Sequence, residues 1–310
     1  MSTLIYGAGS LGLYFAARLA QAGEEVILKA RGTAVERSRT EPLRVLGGES
    51  AEEVSGVQVI DSLVGVRADT AIIATKAWQV AEAARDLSAV LPPEAPVLTT
   101  QNGIDAPNSA GEYLRDGQVF ASTVVVIANR VGPLDVRLIG PEVSLTMGSP
   151  AGRTASSARR LTEALCAAGA ATTWTDDITA ALWKKFALIC SYGGVGAVVD
   201  APVGQTRADV RTRGLVSAAM REVFAVAAVE GVQLTPEDFD EVLQVYLSGF
   251  APETTSSMHR DLLAGRPSEL EDQVGAVVHR SQRLGVPTPV LDTIYAAMAP
   301  REARVRVRAR

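Results

Sequence analysis

Gly7-Ala8-Gly9-Ser10-Leu11-Gly12 carries the spacing G-x-G-x-x-G within the first dozen residues. An apolar run over 3–6 precedes it, and a helical pattern follows, with Leu11, Tyr14, Phe15, Arg18 and Leu19 at helical spacing. A second apolar run, Glu25–Lys29, comes about twenty residues on, the context this motif requires. Gly7 permits the tight turn, Gly9 lets the backbone approach a pyrophosphate, and Gly12 lets the helix pack on the strand. The helix start, at Ser10 and Leu11, offers unpaired N–H groups to the anion. The stretch Ile27-Leu28-Lys29-Ala30-Arg31-Gly32 lacks the acid that accepts the ribose 2′-hydroxyl in NAD sites. Arg31 suits a 2′-phosphate instead, with Lys29 adding charge, so NADP(H) is the expected dinucleotide. Both cations also fit a solvated surface.

A second set of capable side chains lies far downstream. Lys185 shares a helical stripe with Ile178, Leu182 and Ile189. Partial desolvation there lowers an ammonium pKa toward a range useful for proton delivery. The same position suits a lysine snorkelling from an apolar edge. Glu269 sits in Pro267-Ser268-Glu269-Leu270-Glu271, which reads as a capping box with Ser268 as cap and Glu271 at its third position. Ser256 and Ser257 read as caps of a short helix. Lys76 and Asn102 each end an apolar run, where open parallel sheets bind ligands, although Asn-Gly is also a turn signal. His259 and His279 have no Cys or second His at metal spacing, so no metal site is expected. Cys166 and Cys190 both lie in apolar stretches and read as buried free thiols.

Short apolar strands alternate with helices in the first half: strands over 3–6, 25–29, 70–74 and 96–100, with helices over 10–21 and 77–89. That alternation argues for a doubly wound α/β sheet of Rossmann type. Strands over 119–127, 134–139 and 143–147, the last two split by Gly140-Pro141-Glu142, suggest antiparallel additions, with a final strand over 170–174. Beyond Asp177 the pattern is helical throughout: 177–192, one long helix over 205–230, then 236–248, 269–284 and 288–298. The expected organisation is a Rossmann domain over 1–176, an all-helical domain over 177–300, and a frayed basic tail over 301–310.

The chain has 310 residues, 47% of them hydrophobic, with a net charge of −5. Two domains fit that length, and the charge gives no footprint for nucleic acid. No apolar run reaches the ~20 residues needed to span a bilayer, and no signal peptide is visible, so a cytoplasmic protein is expected.

With these residues in hand, the chain resembles the ketopantoate (2-dehydropantoate) reductase family. Gly7–Gly12, Arg31, Thr75-Lys76-Ala77-Trp78-Gln79 and Gln101-Asn102-Gly103 match its cofactor half. Leu182-Trp183-Lys184-Lys185 and Ser256-Ser257-Met258, with Asp261 and Glu269, match its catalytic half. The resemblance spans almost the whole chain. It implies reduction of a 2-oxo acid by NADPH, on the way to pantothenate. By the same resemblance, Lys185 serves the ketone oxygen and Glu269 is its partner acid. Lys76 and Asn102 lie by the nicotinamide ribose and reacting carbonyl, and Ser257 holds the substrate carboxylate. A keto acid is the expected small-molecule partner, and the helical domain is compatible with a homodimer.

The family's substrate-holding asparagines are absent. Ile189, Gly193, Val203 and Thr254 stand where they are expected. A site that loses such hydrogen bonds loses discrimination for a hydroxylated substrate. A paralogue acting on a less hydroxylated 2-oxo acid is therefore expected. Two other readings stay open: an opine- or 3-hydroxy-acid-type dehydrogenase, and a non-catalytic NADP(H)-binding sensor.

Overall fold

A computed structural model describes residues 2–47 and 50–308. The chain divides into one unit of Met1–Gln101 with Asp105–Ile178, and another of Asn102–Ile104 with Thr179–Arg310.

Ten strands form one sheet in the first unit: β1 (Ser2–Tyr6), β2 (Glu25–Lys29), β3 (Leu43–Gly47), β4 (Ser50–Val54), β5 (Val57–Ile60), β6 (Thr70–Ile73), β7 (Val97–Thr99), β8 (Val119–Arg130), β9 (Asp135–Gly148) and β10 (Ala171–Trp174). The spatial order is β4-β3-β9-β8-β7-β6-β1-β2-β5, with β10 beside β9. The run from β8 to β5 is wholly parallel, and Tyr6 pairs with Lys29 on one side and Ile73 on the other. Helices α1 (Ser10–Gln21), α2 (Thr33–Arg37), α3 (Val80–Ser88), α4 (Ala106–Gly111) and α5 (Arg159–Ala167) lie between the strands in sequence. Side chains alternate between the faces of a strand. Ile5 and Ile72 therefore join a core with Leu13, Tyr14 and Phe15 of α1, while Leu4, Tyr6 and Ile73 join another with Val80, Ala84 and Leu87 of α3. Both faces of the central strands are dry, which is why they read as unbroken apolar runs.

The second unit is helical: α6 (Ile178–Val199), α7 (Val203–Ala208), α8 (Val210–Val229), α9 (Pro236–Gln244), α10 (Ser257–Leu263), α11 (Ala276–Leu284) and α12 (Pro289–Arg308). π-helical turns at Val245–Gly249 and Glu271–Gly275 extend α9 and lead into α11. Helix α6 is long and apolar enough to cross a membrane by composition, in contrast to the sequence reading, but 61% of its apolar window is buried inside the protein.

Other expectations change for physical reasons. The two strands read over 134–147 are one, β9: its pairing with β8 lapses in a bulge after Ile139, where Gly140 has φ 86, and resumes with a shifted register at Ser144. Strands β3, β4 and β5 escaped the pattern; the residues of β4 are exposed except Val54, so no apolar signal marks them. The long helix over 205–230 breaks at Asp209, whose extended backbone lets its carboxylate cap α8 through the Arg211 and Thr212 N–H groups. Cys166 is exposed on α5, while Cys190 is buried in α6. The tail from Arg301 is not frayed: α12 runs through Arg308, and Glu302 within it is buried. The last two residues of that tail lie outside the described residues.

Candidate active site

The turn between β1 and α1 is tight at two of its glycines. Gly7 adopts φ 114, and a Cβ built there would sit 3.0 Å from Thr75 Cγ2. A Cβ on Gly12 would lie 1.7 Å from the Gly7 carbonyl oxygen, so only glycine fits. At Gly9 a Cβ would only touch the Ala74 carbonyl oxygen, at 3.6 Å, so its small size is not required by this chain's own packing. Gly9 caps α1 without any side-chain hydrogen bond. The first N–H groups of a helix have no partner within it. The Ser10 hydroxyl accepts from the Arg130 N–H at 2.9 Å, leaving that residue's own N–H as its contribution to a ligand. Beside the turn, the buried Thr75 hydroxyl oxygen has no hydrogen-bond partner. A cradle that admits no Cβ at Gly12 and strains one at Gly7, an uncapped helix start and an orphaned hydroxyl fit a dinucleotide pyrophosphate.

The cations past β2 divide. Lys29 is buried, and its ammonium donates to the Asp61 carbonyl at 2.6 Å, so it is committed to the fold rather than to a ligand. Arg31 is exposed and ion-pairs with Glu82 of α3. One turn further along α3, Asp86 accepts from the Tyr6 hydroxyl at 2.5 Å; burial, then this bond, pushes the phenol up to about 12. Sequence reasoning missed Glu82, because an acid was sought on the strand rather than on a helix 51 residues away. It also gave Gln101 no role of its own. That buried amide donates to the carbonyls of Ile73 at 2.9 Å and Thr75 at 3.0 Å, tying the ends of β6 and β7 where Lys76 and Asn102 begin their loops. Lys76 is half-buried and opens the turn before α3 with extended backbone. Asn102 groups with the second unit.

In the second unit, adjacent lysines on α6 have opposite environments. Lys184 bonds Asp238 at 2.6 Å and Glu241 at 2.7 Å, and the hydrogen bonds raise its pKa against the effect of burial. Lys185 is half-buried; burial lowers its pKa to about 8, and the charge of Glu269 opposes that shift. Ile189, one turn on, is 9% exposed, and Tyr192, two turns on, packs against Phe250 with rings tilted at 45° and centroids 4.9 Å apart. Gly193 abuts Ser256: a Cβ there would lie 3.0 Å from its Cβ and Oγ. Ser256 caps α10 by accepting from the His259 N–H at 3.1 Å, and the half-buried Ser257 follows as its first helical residue. Val203 is buried, and its N–H donates to the Thr254 carbonyl at 2.9 Å.

The capping box expected at Ser268 does not form. Its hydroxyl accepts from the Leu270 N–H at 3.2 Å, while Glu271 turns away to His279 at 2.6 Å and to the Tyr295 hydroxyl at 2.5 Å. A π-helical turn in place of the first α-helical turn changes where the third side chain points. Glu269 itself is buried. Nearby, burial first and then the charge of Glu269 push the Asp272 carboxyl up to about 6, and its Oδ2 is buried without a hydrogen-bond partner. His259 is buried and bonded to Asp200 at 3.0 Å. Among the described residues, no cluster of His, Cys, Asp or Glu could hold a metal.

Comparison with known proteins covers both units. Residues 3–152 match the family described as Ketopantoate reductase PanE/ApbA, and residues 177–302 match Ketopantoate reductase PanE/ApbA C terminal. The 2-dehydropantoate 2-reductase of Vibrio cholerae is 29% identical, over 95% of this chain and 96% of that protein. The one from Mesorhizobium japonicum is 28% identical, over 96% of each. The PanE/ApbA family ketopantoate reductase from Ralstonia eutropha JMP134 aligns with a TM-score of 0.88 at 30% identity, over 99% of this chain and 100% of that one. D-mandelate dehydrogenase, solved with NADH and anilino(oxo)acetate, aligns with a TM-score of 0.91 at 22% identity, a likeness of fold alone.

Proposed function

The chain belongs to the ketopantoate reductase family, oxidoreductases that bind a nicotinamide cofactor, and on that premise we propose that it reduces a 2-oxo acid with NADPH, using Lys185 as the proton donor. The observation that carries this reading is the contrast on α6. Lys184 is locked in two ion pairs, whereas Lys185 is pushed down to about 8 by burial and opposed by Glu269. A group titrating near the working pH is what general acid catalysis favours.

Gly7, Gly9, Ser10, Leu11 and Gly12 would hold the pyrophosphate, Arg31 the 2′-phosphate, and Lys76 and Asn102 the nicotinamide ribose. When bound there, NADPH would supply the hydride that reduces the ketone carbon. Charge then gathers on the ketone oxygen, and the ammonium of Lys185 meets it and gives up its proton. Glu269 keeps Lys185 protonated over more of the neutral range than burial alone would allow. Ser257 would orient the substrate carboxylate.

The substrate we favour is less hydroxylated than 2-dehydropantoate. The Lys185 face of α6 continues into Ile189, Val203 is buried, and Gly193 is packed against Ser256. None of the three offers a side-chain partner to a hydroxyl group, and the loss of such bonds weakens selection for one. NADPH oxidation over a panel of 2-oxo acids, with Lys185→Ala in parallel, tests the reading. Substrate-dependent oxidation lost in the variant supports it. Cofactor binding without any turnover marks a sensor, and a clear preference for 2-dehydropantoate over plain branched 2-oxo acids refutes the substrate class.

A further inference from the structure

The last helix of the chain grips the residue that precedes Glu269. Ser268 is fully buried, and its backbone N–H donates to both carboxylate oxygens of Glu302, at 3.0 and 3.2 Å. Its hydroxyl donates to Glu302 Oε2 at 2.8 Å. Its carbonyl accepts from Arg306 Nη2 at 2.8 Å, and Arg306 Nε closes the ring on Glu302 Oε1 at 2.7 Å. The peptide group between Ser268 and Glu269 is thus fixed from α12. The next peptide group is fixed as well: the Leu270 N–H donates to the Ser268 hydroxyl at 3.2 Å, and the Glu269 carbonyl accepts from the Gln273 N–H at 2.9 Å. With both flanking peptide planes held, Glu269 retains only its side-chain torsions.

A buried carboxylate is an expensive fastener where a hydrophobic contact would hold two helices together. Glu302 is nevertheless only 6% exposed. Hydrogen bonds to fixed backbone groups add what apolar packing lacks, which is direction. The charge of Arg306 also offsets part of the rise that burial and Glu269 impose on the Asp272 carboxyl.

We propose that Glu302 and Arg306 are positioning residues of the reductase site, fixing the backbone from which Glu269 acts on Lys185. This rests on the roles given to Lys185 and Glu269 above. It makes the basic end of the chain part of the catalytic apparatus, although neither residue touches substrate.

The test uses the full chain with Glu302→Gln, Arg306→Met and Arg306→Lys, and Glu269→Gln as reference. Turnover, KM, NADPH affinity by nicotinamide fluorescence, melting temperature and the pH profile of reduction are measured. Glu302→Gln and Arg306→Met are expected to lower kcat about tenfold, part of the ~10²-fold that a misplaced group can cost, with NADPH affinity unchanged. The alkaline limb of the profile should move to lower pH, as in Glu269→Gln, because a misaligned Glu269 no longer supports protonated Lys185. Arg306→Lys should recover part of the loss. A lower melting temperature with kcat and the limb unmoved would make the network a structural fastening and overturn the proposal. No effect of Glu269→Gln on kcat or the limb would instead remove the premise. Should Glu302→Gln not fold, Arg306→Met and Arg306→Lys decide between them, since the Arg306 side chain is 36% exposed where that of Glu302 is 7% exposed.

Discussion

At Gly12 the backbone leaves no space for a single methyl carbon, whereas at Lys185 the surroundings accept a long charged side chain and change its chemistry. The first constraint is steric and local: a Cβ would meet an oxygen five residues back, 1.7 Å away. The second is electrostatic and assembled from afar, with Glu269 acting on Lys185 from a bend 84 positions downstream. A phosphate cradle can therefore be written into six consecutive residues. A tuned ammonium has to be built by the whole helical unit, and small changes in distant residues can retune it.

The largest test of this contrast is Lys185→Met. Turnover should fall by about 10²- to 10⁴-fold, the usual share of a general acid, while NADPH affinity stays the same in a fluorescence titration. Next is Gly12→Ala, where the overpacked turn should cost about 1–3 kcal/mol in stability and weaken dinucleotide binding in step. Equal NADPH affinity in that variant would show that the steric account is wrong. Arg31→Ala should reduce affinity for NADPH about tenfold and leave NADH nearly unchanged, as expected for a charge-assisted bond to a 2′-phosphate.

Lys185 also sets a pH dependence. Reduction needs the ammonium, so kcat should fall as pH rises through about 8, and the reverse oxidation should rise over the same range. Stability follows the same titration. Between about 8 and the ordinary lysine value of 10.5, the unfolded chain holds the proton more tightly than the folded one, so stability should climb with pH across that window. Lys185→Met should remove the slope and melt higher than the parent at pH 7. The smallest expected effect belongs to Glu82→Gln. Freeing Arg31 from its ion pair should tighten NADPH severalfold, in keeping with the modest strength of exposed pairs, without altering NADH.

The same division explains what the sequence disclosed. The Rossmann sheet was legible because strands buried on both faces read as apolar runs and because glycine spacing is a local signal. Residues of β4 are mostly exposed, so nothing marked that strand. Asp209 was read through as helix because a cap and a helical interior residue look alike without the backbone in view. At the candidate site, the residue types were legible and their environments were not. Nothing local to Lys29 said that it would be buried against a carbonyl, and nothing near Arg31 announced Glu82. The Ser268 capping box failed for a related reason: the partner of Ser268 is Glu302, 34 residues later, beyond the reach of any local motif.

The unequal fate of the two thiols has a practical use. Cys166 faces solvent on α5, and Cys190 is sealed inside α6, where burial raises its pKa well above the usual thiol value and suppresses the reactive thiolate. A maleimide dye should therefore attach at one position only, on the unit that carries the phosphate turn, and leave the helix bearing Lys185 chemically untouched. The native chain is in this respect ready for single-site fluorescence labelling, with no engineered cysteine and none removed.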